Sequence, residues 1–545
     1  MPPGTDGPTT HRFALRGRIV TLDDNDTVLD DGVVYVGDRV IDAVLPAEAP
    51  APPGFEQVTP VVTGGTVYPG LIELHNHLPY DVLPLWNVPK RYGNRSQWGG
   101  SRNPAYRTLV TGPMRVLGED PELMPAVVRY VEAKALINGT TTTQGIALFS
   151  NAGARRMYRG IVRNVEATDD PDLPEAGSRI ADVEAEDAEK FLARLKQPHR
   201  LLLHLAEGTD RAAREHFLAL KIKAGRWAIT ENLVGIHCAG LAAEDFRVLA
   251  DHGASMVWSP LSNLLLYGGT ADIAAARRAG VLMGLGSDWS VSGSKGLLGE
   301  LKAARLAADV GEVDLTDRDL VAMATRDAAR ILRWERAVGS LRPGLRADLL
   351  ITAGTADDPY TALVRAGDAD IRLVVIDGVA RYGLRDLVKA LASGEELEKV
   401  SATGAGGRVV NLHDAAGDPL VAGLTLADAT DRLTTALADL PALAARPPRP
   451  APLTGALAGG VRWQLALDEL APTGAELRPR LGLSAAGRTH PTGPEPGPAT
   501  AAVGTLTPLT LDGLTAGADS SFGAVLAQEI NLPADYGARL AQLLT

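Results

Sequence analysis

Between residue 67 and about residue 335 the chain repeats one pattern, a short apolar segment of strand length followed by a stretch of helical character. The strand-like segments are GLIELHNHL (70–78), GTTTTQGI (139–146), GIVRNVEA (160–167), RLLLHLAE (200–207), LVGIHCAG (233–240), SMVWSPLS (255–262) and VLMGLGSDW (281–289). Between them, LMPAVVRYVEAKALING (123–139) and AEDFRVLADHG (243–253) carry the spacing of amphipathic helices. Strands joined by helical crossovers run parallel, and about eight such units close a (β/α)8 TIM barrel. This expectation constrains everything else, because such barrels concentrate their chemistry at the C-terminal ends of the strands.

The chain has 545 residues, more than a barrel of roughly 250 residues requires, so appended pieces are expected. Residues 12–68 read as short strands, with FALRGRIVTL and GVVYVGDRVIDAVL broken by DDNDT and by the loop PAEAPAPPG. After TRDAARILRWE (325–335) β character returns in VGSLRPGLRADLLIT and IRLVVIDGVARYG. The two β regions are expected to pair into one small β-sandwich domain. The predicted divisions are 1–66 and 339–392 for the two parts of the sandwich, 67–338 for the barrel, and 393–545 for a C-terminal extension with Pro-rich linkers at 444–455 and 488–502. No catalytic role is assigned to that extension.

A net charge of −12 and the lack of any long Lys/Arg run argue against a nucleic-acid partner, since phosphate binding needs a basic surface. A small-molecule substrate is the expectation, and self-association into a homo-oligomer stays open. A single cysteine, Cys238, excludes an internal disulfide and a Cys-rich zinc site. The start MPPGTDGPTTHR lacks a charged segment followed by an apolar core, and no stretch reaches the roughly 18 apolar residues of a membrane span. The expected location is cytoplasmic, with no membrane partner.

Four strand ends carry groups suited to a metal. In a strand, residues two apart share a face, so His75 and His77 present two imidazoles side by side. Alone, such a pair also fits an ordinary strand or loop. His204 can supply a third ligand, and Glu207, three residues on, could sit over an activated water as proton shuttle or simply be a helix-start carboxylate. His237 ends another strand. Asp288 follows the apolar run of the last, where it could both bind an ion and accept a proton from water. Cys238 points opposite to His237 and reads as packing, while His11, His199, His216, His252, His413 and His490 read as surface or structural.

These motifs, in this order, resemble the amidohydrolase superfamily, in its cytosine deaminase, guanine deaminase and triazine chlorohydrolase branch. PGLIELHNH is similar to the metal motif of barrel strand one, HLAE to the strand-five motif, GIHC to strand six, SPLSN to strand seven and GLGSDW to the strand-eight Asp motif. MATRDAARIL and GSLRPGLRADLLI complete the likeness, which runs to about residue 390. The resemblance implies that His75, His77, His204 and Asp288 hold one divalent ion, Zn²⁺ or Fe²⁺, while Glu207 and His237 act on substrate and water. GIVRNVEA offers no lysine to bridge two ions, so one metal is implied. The run Trp289–Lys295 departs from the Gly or Ala that deaminases of this branch often carry after the Asp.

The expected reaction is hydrolysis of a C–N bond, with deamination of a cyclic amidine or aminated heterocycle leading. Asp288 would take the proton of water, Glu207 would protonate the ring nitrogen or leaving group, and His237 would stabilise the tetrahedral centre. A cyclic amide hydrolase of lactam or hydantoin type, a chlorohydrolase, and a non-catalytic barrel scaffold are the alternatives. Tyr80, Trp86, Arg95, Trp98 and Trp289 could wall a pocket for a flat ring, or pack a long loop. Ser262 and Asn263, at the end of the SPLSN segment, could bond substrate, or Asn263 could end a strand in a turn.

Overall fold

The computed structural model describes residues 11–99, 103–150, 153–179, 188–354, 357–392, 396–400, 407–414, 417–446, 462–467 and 506–544. Apart from residues 444–446, both Pro-rich stretches lie outside the described residues, as does His490.

The N-terminal strands are β1 (Arg12–Val20), β2 (Val28–Gly37), β3 (Val40–Pro46) and β4 (Val61–Pro69). Then come β5 (Leu71–Ile72), β6 (Thr140–Thr143), β7 (Ala147–Ser150), β8 (Arg155–Met157), β9 (Arg163–Asn164), β10 (Gly177–Arg179), β11 (Leu201–Leu205), β12 (Leu233–His237), β13 (Ser255–Trp258) and β14 (Leu282–Leu285). The chain continues through β15 (Leu349–Thr352), β16 (Ile371–Ile376), β17 (Val379–Leu384), β18 (Glu398–Val400), β19 (Arg408–Val410) and β20 (Trp463–Leu465).

The two β regions meet in one nine-stranded sheet, ordered β18-β19-β17-β16-β15-β4-β1-β2-β3. Its join is β15 on β4, antiparallel, with Leu349 opposite Pro69 and Thr352 opposite Thr66. Alternation along the strands sends Phe13, Leu15 and Ile19 into one apolar cluster with Ile351 and Leu373, and Ala14, Val33 and Tyr35 into another around Phe55. The sheet continues past residue 392, where the sequence pattern would end it. After the helix Arg385–Leu391 the chain returns, so that β19 pairs antiparallel with β17 and β18 with β19.

Eight strands form a parallel set in two sheets, β5-β6-β9 and β10-β11-β12-β13-β14. Backbone bonds run between the sheets at both seams. Ala176 N–H donates to Val165 O (2.8 Å), and Leu74 N–H donates to Leu285 O (3.3 Å). This is a TIM-barrel-type α/β arrangement. Seven of its strands lie in the segments legible as strands, whereas β10, the three-residue run GSR, has no apolar pattern to announce it. The long helices Met124–Ile137 and Leu297–Val310 are buried along most of their length.

One local expectation changes. SMVWSPLS is not a single strand: β13 stops at Trp258, and Pro260 opens a helix, Pro260–Tyr267. Proline suits that first position, because its fixed φ is helical and its missing N–H would have no intrahelical partner there. Ser262 and Asn263 therefore project from a helix's first turn, not from a strand end.

The C-terminal extension folds back on this core. Helix Leu426–Ala438 packs on Met124–Ile137, β20 pairs with β7, and helix Tyr536–Leu544 lies against Leu297–Val310, with Tyr536 Oη donating to Ala303 O (2.6 Å). Among the described residues no helix is long and apolar enough to cross a membrane.

Candidate metal and catalytic centre

The parallel strands bring His75, His77, His204, Glu207, His237 and Asp288 together, all buried. The ligand atoms of His75, His77 and His204 lie within 4.8 Å of one another, as do those of His75, His237 and Asp288 and those of His204, Glu207 and His237. His75 Nε2 stands 3.1 Å from Asp288 Oδ1, His77 Nε2 3.5 Å from the same oxygen, and His77 Nε2 3.3 Å from His204 Nε2.

Local backbone geometry makes this convergence. Asp288 N–H donates to His75 O (3.0 Å) and His77 N–H to Asp288 O (2.6 Å), tying the end of the last parallel strand to that of the first. Gly286 permits the approach, since a β-carbon there would meet the His75 backbone nitrogen and oxygen at 2.8 Å. Ala206, His237 and Asp288 all take left-handed backbone angles, with φ of 51°, 68° and 68°. Such conformations cost a residue with a β-carbon on the order of 1–3 kcal/mol and gather at functional sites.

Four of these groups have an orienting partner. His75 Nδ1 lies 3.2 Å from Gln144 Oε1, which also accepts from Asn76 N–H (3.0 Å). Asp288 Oδ2 accepts from Ser262 Oγ (2.6 Å), which is 2.8 Å from Ser292 Oγ. Glu207 Oε1 accepts from Tyr267 Oη (2.7 Å) and Oε2 from Arg95 Nη1 (3.3 Å). Asn263 Nδ2 donates to His237 Nδ1 (3.0 Å). Gln144 and Tyr267 are not apparent from the motifs alone. Gln144 ends a strand-like segment and so carried a signal, whereas Tyr267 is recognisable only once helix Pro260–Tyr267 places it one turn after Asn263.

Burial dominates the electrostatics. It lowers His77 and His237 to about 3 and drives His204 well below its ordinary value, so neutral imidazoles with lone pairs are favoured. Burial works against ionisation of Asp288, but the neighbouring imidazoles of His75, His77 and His237 in their protonated form outweigh it and hold the carboxyl below its usual range. Burial raises Glu207 despite the opposing Arg95 guanidinium. Cys238 is a buried thiol raised by desolvation and contacts Gly235 O, in keeping with packing.

The residues fit a divalent cation. His75 Nε2 is buried and makes no hydrogen bond, while Asp288 Oδ1 stands beside it. Neutral imidazole nitrogens and a carboxylate oxygen are the donor set that zinc and related ions take.

Trp289 lies against His77, with ring centroids 5.4 Å apart, and Tyr80 lies against both. Trp98 donates through Nε1 to Tyr267 Oη (2.8 Å) and is crossed by the Arg95 guanidinium at 5.7 Å. Trp86 has its ring near Tyr92 and Tyr106. Ser262 and Asn263, expected to reach substrate, spend the bonds described above on Asp288 and His237, because the helix start turns them toward those groups. His11, His199 and His413 are exposed, and His216 and His252 are half-buried.

Known proteins resemble this chain in sequence and in fold. Residues 227–381 match the model of the amidohydrolase family. A 5-methylthioadenosine/S-adenosylhomocysteine deaminase of Desulfitobacterium hafniense is 31% identical over 356 residues, covering 57% of this chain and 79% of that protein. Its counterpart in Symbiobacterium thermophilum is 24% identical over 413 residues, 67% of this chain and 92% of the relative. The zinc-bound adenosine deaminase of Xanthomonas campestris shares the fold with a TM-score of 0.53 at 21% identity, over 68% of this chain and 92% of that one. The chain belongs to the amidohydrolase family of metal-dependent hydrolases that act on carbon–nitrogen bonds.

Proposed function

We propose that this enzyme hydrolytically deaminates an aminated heterocycle of the adenine-nucleoside class, replacing a ring C–NH2 by C=O with release of ammonia. The observation that carries the reading is the placement of Glu207 and His237 beside the cluster formed by His75, His77, His204 and Asp288. The relatives act, by their names, on methylthioadenosine and S-adenosylhomocysteine, which supports a purine in place of a smaller ring.

In this reading His75, His77, His204 and Asp288 hold one divalent ion, zinc by preference, whose role when bound is to activate water by Lewis acidity. A single ion is supported by the buried lysines. Lys134 and Lys295 are engaged with Asp512, and Lys302 with the carbonyls of Leu298 and Ala366. Asp288, whose Oδ2 accepts from Ser262 Oγ, takes the proton of the attacking water. Glu207, raised by burial, delivers a proton to the ring nitrogen next to the amine-bearing carbon. His237 donates from Nε2 to the oxygen added at that carbon. Trp289, Trp98 and Tyr80 exclude water and offer flat faces to the ring, and Arg95 anchors Glu207. The eight parallel strands act as one closed barrel, residues 67–338, carried beside a sandwich built from 1–66 and the segment after 339.

Ammonia release tests the reading. The zinc-loaded protein is expected to deaminate adenosine, 5′-methylthioadenosine or S-adenosylhomocysteine in preference to cytosine or aminotriazines. Opening of a lactam or hydantoin without ammonia from any aminated ring would refute it.

A further inference from the structure

We infer that Gln144 and Asn263 are positioning residues that hold two histidines of the site in opposite tautomers, His75 with a bare Nε2 and His237 with a protonated one. The inference rests on the proposed reading of His75 as a ligand and His237 as a donor, and it explains how one site keeps those roles apart.

The polarity follows from groups that can only donate. Gln144 Oε1 is fixed in place by the Asn76 backbone N–H (3.0 Å), while Gln144 Nε2 donates to Ser178 Oγ (2.7 Å). The oxygen therefore faces His75 Nδ1 at 3.2 Å, so that Nδ1 carries the proton and Nε2 the lone pair. At His237 the order is reversed. The Trp258 indole, a donor only, donates to Thr270 Oγ1 (2.7 Å). The Thr270 hydroxyl proton is then available for Asn263 Oδ1 (3.3 Å), which turns the Asn263 amide nitrogen toward His237 Nδ1 at 3.0 Å. With the amide turned the other way, Thr270 would accept twice and its proton would lack this acceptor. His237 Nδ1 is thus an acceptor, and its proton sits on Nε2, buried without a hydrogen-bond partner and 3.9 Å from Glu207 Oε1. A neutral imidazole protonated at Nε2 offers no lone pair there. His237 consequently stands beside the cluster as a hydrogen-bond donor and not as a ligand, and partners of this kind commonly set which histidine nitrogen is free.

The test uses full-length zinc-loaded protein labelled with ¹⁵N-histidine, without substrate. Long-range proton–nitrogen couplings report which ring nitrogen carries the proton, and the His237→Gln variant assigns the resonances. The native protein is expected to show His237 protonated at Nε2 alone and His75 at Nδ1 alone. Asn263→Asp, which puts an acceptor opposite Nδ1, is expected to move the His237 proton to Nδ1 and to lower kcat by about 10²–10³-fold with KM little changed. Should that variant fail to fold, Thr270→Val, which removes the hydroxyl that orients Asn263, is expected to give a mixture of tautomers, and Thr270→Ser to restore the single form. A native His237 that is bare at Nε2, or an Asn263→Asp protein with the native tautomer, overturns the inference. The native spectrum without deamination of any substrate would instead overturn the proposed function and leave the tautomer assignment standing.

Discussion

Two of the buried polar clusters among the described residues are satisfied in different ways. Around His75 and Asp288, acceptors face acceptors: His75 Nε2 makes no hydrogen bond, yet a carboxylate oxygen stands 3.1 Å away. Around Asp512, contributed by the C-terminal extension, every charge meets its complement. Asp512 accepts from Lys134 on one oxygen and from Lys295 on the other, Lys134 also donates to Asp81 O (2.8 Å), and Lys295 pairs with Asp519 (2.9 Å). The first cluster is completed only by a cation or a proton, and the second is complete as it stands. The difference teaches that burial and charge do not by themselves mark a reactive site. Unspent lone pairs directed at a common point do.

The largest expected effect comes from breaking the first cluster. Asp288→Ala removes the group proposed both to bind the metal and to take the proton from water, and turnover should fall by about 10⁴-fold or more while the far-ultraviolet circular dichroism stays native. Undiminished ammonia release from this variant would remove Asp288 from the mechanism.

Breaking the second cluster should act on stability. Asp512→Ala leaves two ammonium groups buried without their shared carboxylate, a change worth about 3–5 kcal/mol, measured by denaturant unfolding. Replacing Lys134, Lys295 and Asp512 together by apolar residues should recover most of that loss. If Asp512→Ala melted like the parent, the extension would not be bound through this cluster.

Glu207→Gln keeps shape and removes the transferable proton, so kcat should drop by about 10²–10³-fold with stability nearly unchanged. The smallest effect expected is that of Trp98→Phe, which deletes the hydrogen bond to Tyr267 behind Glu207 and should cost about 1 kcal/mol in kcat/KM. A larger loss would mean that the Trp98 indole, and not only the flat face that Phe keeps, is needed against the ring.

How much of this was legible in the sequence depended on how local each feature is. His75, His77, His204, His237 and Asp288 were readable because each stands at the end of an apolar run, where strand period and polarity change together. Their partners were not. Ser262 and Asn263 read as a strand end because SMVWSPLS is apolar enough to continue a strand, and the helix start at Pro260 turns both toward Asp288 and His237. β10 is not legible because three residues cannot display a period, and β18 and β19 are not because their pairing with the sheet is made across a helix. Asp512 was the least legible of all: it lies 378 residues from Lys134 and 217 from Lys295, and no local pattern encodes a contact at that separation.

The central claim is that the first cluster is a single-metal site, and metal analysis of the purified chain tests it most directly. The protein is expected to carry one equivalent of a divalent ion, zinc by preference, and a His75→Ala/His77→Ala double variant is expected to lose it while keeping its fold. A native protein without bound metal, one with two equivalents, or a double variant that retains the full complement would contradict the account.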